Sequence, residues 1–458
     1  MTNVEVAPDF PDFGASFVWG ASTASYQIEG AVTEDGRGRS VWDTFADQPG
    51  RIADGSSGAI ACDHYHRYPE DIALMRQAGL TGYRFSIGWP RIQPDGAGKP
   101  NEAGIAFYDK LIDQLLANDI APMATLFHWD LPQALQDQGG WLARSTAQRF
   151  ADYAAIMADR FADRVAYWAP VNEPNVVTVL GHAIGLHAPG GTLGLQVLPV
   201  AHHLLLGHGL AVQALRAAGA RGIGCANNHS PVWPASDSQD DQDAATGYDA
   251  WWNRLFAEPI LLGRYPAQFA EQLTGPVAED LATISEPLDF YGLNYYNPVR
   301  IGAPGGSEQD PAMAGLPFSR LPIQGYPLTD FGWPVIPAGL HEVLCQLAER
   351  YGDRLPPIHL TENGCSYANG PDEAGRVADS RRIDYLDGHL RAVHQAIQDG
   401  VDVAGYFCWS LLDNFEWAEG YRQRFGLVHV DYQTLARTPK DSFHWYAEVI
   451  RRHASAGT

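Results

Sequence analysis

The sequence predicts an α/β fold, a (β/α)8 barrel of eight parallel strands with loop insertions at the C-terminal face of the strands. Three observations predict it. Eight short β-rich runs alternate with stretches of helical spacing across 458 residues. Several of those runs end abruptly in polar or charged side chains, the pattern of strands that open on one functional mouth. No glycine-rich phosphate loop follows the first run, which counts against the competing fold, a doubly wound nucleotide-binding sheet. Length alone would suggest two or three domains, but TIM barrels exceed that prior as one unit. Residues 1–458 are therefore expected to form one domain, without internal repeats, low-complexity tracts or a linker.

The first strand is expected at Phe17–Ala21, followed by an insertion, Gly30–Asp63, rich in Gly and polar residues. A helix comes next, with Pro69 in its first turn and Gly79 at its end. The second strand, Tyr83–Trp89, precedes a helix whose apolar face is Ile105, Tyr108, Leu111, Ile112, Leu115 and Leu116. The third, Pro122–Trp129, precedes another, with Phe150, Tyr153, Ala154, Met157 and Phe161 on one side. Ala166–Asn172, Gly222–Asn227 and Leu288–Tyr295 are the next three strands, and a second insertion spans Asn297–Pro334. Leu340, Val343, Leu344 and Leu347 mark the helix before the seventh strand, Pro357–Thr361. Ile383, Leu386, Leu390, Val393 and Ile397 mark the one before the eighth, Gly405–Leu411.

Composition excludes several function classes. Lys and Arg number 31 against 54 Asp and Glu, a formal charge of −23 that would repel phosphate backbones and anionic lipid. Nucleic acid and membranes are thus not expected as partners, and self-association is left open. No run of uninterrupted apolar sequence has bilayer-spanning length, and Met1–Asp12 lacks the pattern of a secretory leader. Five scattered cysteines show no paired metal-ligand spacing, so reduced thiols and a cytoplasmic location are expected. His64 and His66 fall in an inserted loop without a nearby third ligand, and surface or loop packing is the plainer role for them. The 13 Trp and 20 Tyr would suit stacking against sugar rings, and equally a large core.

The chemistry lies where the apolar runs stop: Leu126-Phe127-His128-Trp129-Asp130, Pro170-Val171-Asn172-Glu173-Pro174, Leu293-Asn294-Tyr295-Tyr296, Leu360-Thr361-Glu362-Asn363-Gly364 and Trp409-Ser410. In a parallel barrel these ends share one mouth, so Glu173 and Glu362 would face each other from the fourth and seventh strands. Two facing carboxyls suit glycosidic cleavage, one protonated toward the leaving oxygen, the other ionised toward the anomeric carbon or a water. One ionised carboxylate raises its neighbour's pKa, so the pair can hold different protonation states. Singly, either glutamate reads equally as a salt bridge capping the barrel. This physical reading leaves the two roles unordered.

Eight blocks in order then resemble glycoside hydrolase family 1, from about Phe17 to Ile450. They are FVWGASTASYQIEGA from Phe17, YRFSIGWPRI from Tyr83, TLFHWDLPQAL from Thr125, APVNEP from Ala169, GLNYY from Gly292, LTENG from Leu360, CWSLLDNFEW from Cys408 and RFGLVHVDY from Arg424. The resemblance implies hydrolysis of β-glycosides, foremost β-glucosides and cello-oligosaccharides, with net retention and without cofactor or metal. It makes Glu173 the acid/base and Glu362 the nucleophile, about 5 Å apart. Arg84 and Tyr296 would hold the nucleophile ionised, and Asn172 would bind the sugar 2-hydroxyl, with Asn294 supporting the site. Gln27, His128, Trp129, Glu416 and Trp417 match the glycone-binding set, Trp409 the aromatic platform and Trp333 the aglycone entrance. Glu416 stands where phosphosugar-binding members carry a Ser-Lys-Tyr grouping, and Glu173 where thioglucosidases carry Gln. Galactosides and fucosides stay open as substrates. A catalytically silent sugar-binding barrel, and a transglycosylase using the same intermediate, are the rival readings. Gly88, Asn175, Val176 and Asn297 depart from common family residues.

Overall fold

The computed structural model describes residues 5–305 and 315–456. Eight parallel strands form one sheet: β1 (Val18–Ser22), β2 (Gly82–Ser86), β3 (Ala121–Phe127), β4 (Tyr167–Val171), β5 (Gly224–Asn228), β6 (Phe290–Asn294), β7 (Ile358–Asn363) and β8 (Val403–Trp409). They neighbour one another in chain order, with β8 beside β1. Isolated parallel bridges, Trp168 with Ile223 and Asn172 with Ala226, close β4 onto β5. All eight strands lie where the apolar runs predict them. Trp89 is the clearest boundary difference, because it opens the short helix Trp89–Ile92 rather than ending β2. Pro90 has no N–H to give a ladder and fits the first helical turn, so the chain turns there.

Each strand is followed by a helix: α1 (His64–Ala78), α2 (Glu102–Leu116), α3 (Ser145–Phe161), α4 (Leu198–Ala217), α5 (Val277–Ile284), α6 (Pro337–Tyr351), α7 (Ser380–Gln398) and α8 (Asp441–Ala456). The predicted apolar faces of α2, α3, α6 and α7 pack inward, with Ile383 and Ile397 of α7 only partly buried, and with one correction: Leu116, at the last position of α2, is exposed. Helix α1 begins earlier than expected, so Pro69 lies inside it and His64 and His66 are helical rather than in a loop. His64 is a buried structural residue, its Nδ1 at 2.7 Å from Asp71, and His66 pairs with Asp63 and Glu34 at the surface. Residues 194–217, which include α4, are long and apolar enough to cross a membrane, contrary to the sequence expectation; 72% of that apolar window is buried in the fold.

The second insertion is more than a loop. Val299–Gly302 pairs in parallel with Val232–Pro234 and antiparallel with Ser319–Leu321, a small sheet beside the mouth. Part of that predicted insertion, 306–314, lies outside the described residues. Its partner region after β5, including the helices Gln239–Asp249 and Leu255–Leu262, was not foreseen as an insertion.

The other end of the barrel is plugged. Rings from Tyr167 on β4, Phe290 on β6, His359 on β7 and Phe407 on β8 touch one another, at centroid distances of 5.2–6.2 Å. Strands that are not neighbours meet this way only across the interior. Gly20 makes room for the plug, since a Cβ there would sit 2.2 Å from the Phe407 ring. The site is therefore open at one end only.

Candidate active site

Val171 ends β4, and the chain runs on through Asn172 to Glu173, which takes a left-handed backbone conformation (φ 46°) before the short helix Pro174–Val176. Trp129 (φ 77°) and Trp417 (φ 48°) are strained in the same way at the same mouth. Left-handed non-glycine residues are costly and cluster at functional sites. Glu362 lies on β7, whose register shifts relative to β6 between Leu360 and Glu362.

Both carboxyls are buried, and their surroundings differ. Glu362 accepts from Arg84 Nη1 at 2.6 Å and from the Tyr296 hydroxyl at 2.7 Å. Glu173 accepts only from neutral amides, Asn294 Nδ2 at 2.9 Å and Asn228 Nδ2 at 3.0 Å. A short relay joins them: Arg84 Nη2 donates to Asn172 Oδ1 (2.5 Å), which also accepts from Asn294 Nδ2 (3.1 Å). Burial, and next the charge of Glu362, push Glu173 up to about 8. Burial also raises Glu362, but the Arg84 cation and the Tyr296 hydroxyl pull against it. At neutral pH the proton shared by the pair therefore rests on Glu173 and the negative charge on Glu362.

The two glutamates line a cavity of about 440 Å³, together with His128, Trp129, Tyr296, Trp333, Trp409, Glu416 and Trp417. That size holds a small ligand. The remaining predicted residues, Arg84, Asn172, Asn294 and Gln27, lie behind this lining and hold it. Asn172 Oδ1 is taken by Arg84 and Asn294, and one of its two Nδ2 hydrogens faces His128 Nε2 at 3.1 Å. This leaves Nδ1 as the protonated nitrogen of a neutral imidazole, buried and without a partner. Gln27 Nε2 reaches Asn414, Phe415 and Glu416, and its Oε1 is likewise buried and unpartnered. Unpaired buried polar atoms are costly, and a sugar hydroxyl is the kind of group that would satisfy them. The Trp129 indole N–H is committed to the Asn172 carbonyl at 3.0 Å, so this residue offers its ring alone.

A family model described as glycosyl hydrolase family 1 matches residues 10–455. β-Glucosidase A of Acetivibrio thermocellus is 45% identical over 96% of this chain and 98% of its own. The bifunctional β-D-glucosidase/β-D-fucosidase of Bifidobacterium breve is 43% identical over 97% and 99%. The family 1 β-glucosidase from Thermotoga maritima, solved in complex with isofagomine lactam, superposes with a TM-score of 0.90 at 42% identity, covering 96% and 99%. The chain belongs to glycosyl hydrolase family 1.

Sequence reasoning missed some residues of this glycosidase site. Asn228 ends β5, so the rule that found Glu173 and Glu362, an apolar run stopping at a polar residue, would have found it one position later. Trp252 Nε1 donates to Asn228 Oδ1 at 3.2 Å and stacks on Tyr248; no strand end announces it. The departures also have places. Val176 and Asn297 line the cavity, and Asn175 Nδ2 holds the Asn228 carbonyl at 3.1 Å. A Cβ at Gly88 would stand 3.4 Å from Asp130, whose Oδ1 is buried without a partner.

Tyr296 gives a direct test of the electrostatics. In Tyr296→Phe, Glu362 loses one of its two close donors, so its charged form is less favoured and its pKa rises. A hydrogen bond to a charged group contributes about 1.5–3 kcal/mol. Turnover of an aryl glycoside should fall about 10- to 100-fold, with the acid limb of the pH–rate profile at higher pH; an unmoved limb would contradict the assignment.

Proposed function

We propose that this enzyme is a retaining β-glucosidase that removes terminal β-D-glucosyl residues from β-glucosides and cello-oligosaccharides. One observation carries the reading: two buried carboxyls face one cavity, one held by a cation and a phenol, the other by neutral amides only. Glu173 protonates the glycosidic oxygen while Glu362 attacks the anomeric carbon, giving a covalent glycosyl-enzyme. Once esterified, Glu362 has no charge, and one of the two main causes raising Glu173 disappears. Its pKa falls, and Glu173 deprotonates the water that releases the sugar. Trp409 supplies a flat face below the ring. Glu416 beside the Gln27 amide offers acceptors to neutral hydroxyls and no cation for a phosphate.

The pair predicts a bell-shaped profile of kcat/KM. Activity needs Glu173 protonated, so the alkaline limb should fall with an apparent pKa of about 8. It also needs Glu362 ionised, so the acid limb should lie above the ordinary carboxylate range. The function is tested with aryl β-glucoside, β-galactoside and β-fucoside, following the anomer first released by NMR. The β-anomer, and glucoside turnover at least matching the other two, are expected. First release of the α-anomer, or inactivity on all three, would overturn the reading. Excess alcohol acceptor in the same assay separates hydrolysis from transglycosylation.

A further inference from the structure

On the outside of the barrel, the seam between α6 and α7 gathers three side chains that the glycosidase reaction does not use. His341 and Cys345 stand four residues apart on α6, a spacing that puts both on one helical face. Asp399 caps the C-terminus of α7 and reaches across. The His341 Nε2 atom lies 2.7 Å from Asp399 Oδ2 and 3.6 Å from Cys345 Sγ, and all three donor atoms fall within 4.8 Å of one another. The sequence showed no paired spacing among its cysteines because the pair here is a cysteine with a histidine, and the third donor comes from another helix.

We propose that His341, Cys345 and Asp399 form a binding site for a thiophilic divalent transition-metal ion of the zinc class, closed by water in the fourth position. Thiolate, imidazole and carboxylate together favour zinc or cobalt over magnesium or calcium, which prefer all-oxygen sets. Around a tetrahedral zinc with bonds of about 2.0–2.3 Å, donor atoms lie roughly 3.3–3.7 Å apart. The sulfur–nitrogen separation already meets that. The nitrogen–oxygen pair has to open by less than about 1 Å, within reach of two part-exposed side chains. Asp399 is steadied for the role, since its other oxygen accepts from Gln395 Nε2 at 3.1 Å.

A catalytic relay of the cysteine–histidine–acid kind does not fit, because thiol and carboxylate meet the same ring nitrogen. Such a relay needs the acid on the other nitrogen. Occupancy of the metal site would tie α6 to α7, the helices on either side of β7 in the chain and hence of Glu362. Binding to the folded state alone would raise thermal stability.

The test uses the full chain. Cobalt(II) added to the wild type is expected to give a near-ultraviolet thiolate-to-cobalt absorption band, and none in Cys345→Ser. In the wild type, zinc at ten times its dissociation constant should slow alkylation of Cys345 about tenfold, as the empty fraction falls. Cys345 is the one cysteine of the five that is not buried, which makes that rate readable by peptide mapping. A band that survives in Cys345→Ser, no band in the wild type, or an alkylation rate indifferent to zinc would each overturn the proposal. Both variant and wild type should hydrolyse an aryl glycoside alike.

Discussion

Glu362→Ala should lower turnover of an aryl β-glucoside by on the order of 10⁵-fold, since the substitution removes the atom that bonds to the anomeric carbon. The fold should survive, because Glu362 lies at a cavity wall and its removal leaves space rather than a clash. It also leaves Arg84 buried without its closest anionic partner, 2.6 Å away in the intact enzyme. A small anion such as formate or azide would fill that space and pair with Arg84. With azide, a displacement on an activated aryl glucoside should give the α-glycosyl azide, the opposite configuration to the hydrolysis product. Recovery of activity with inverted product separates a missing nucleophile from a damaged fold. Near wild-type turnover without added anion would remove Glu362 from the role.

The barrel was legible because its period is in the sequence. Each strand is a short apolar run and four helices show apolar faces, as in Ile105 to Leu115, with the exposed Leu116 the one residue of that series read wrongly. The site was legible at strand ends for a related reason: a buried run has no reason to stop at Glu173 or Glu362 unless the chain needs them there. What lies on loops gave no such signal. Trp252 follows a polar helix, Gln239–Asp249, whose sequence reads as solvent-exposed loop. The small sheet of Val232–Pro234, Val299–Gly302 and Ser319–Leu321 has strands too short for alternation to show. The order of the two roles was legible in the sequence from resemblance alone; Arg84 and Tyr296 on one carboxyl and neutral amides on the other are the contacts that support the proposed order. Asn172 sits in the expected block, its oxygen held by Arg84 and Asn294 and one of its two amide hydrogens by His128.

Glu173→Gln should act differently on different substrates. The amide is nearly the same shape, and its oxygen can keep the hydrogen bonds from Asn294 and Asn228, so the pocket should be preserved. What disappears is the exchangeable proton. Cellobiose, whose leaving alcohol needs protonation, should lose on the order of 10²- to 10⁴-fold in kcat/KM. A dinitrophenyl glucoside leaves without help, so its kcat/KM, which reports formation of the glycosyl-enzyme, should change far less. Its kcat should still fall, because the variant has no base to activate water, and the covalent intermediate should accumulate as a burst of phenolate. The contribution of Glu173 to the alkaline limb near pH 8 should vanish, and any limb that is left belongs to Glu416, which burial and the charges of Glu362 and Glu173 also push up to about 8. The direction follows from the charges: Glu173 is active when protonated, so the loss of activity it causes as pH rises disappears with it. Equal losses on both substrates, with the alkaline limb unmoved, would mean that the proton comes from elsewhere, and the split between the two carboxyls would lose its mechanistic meaning.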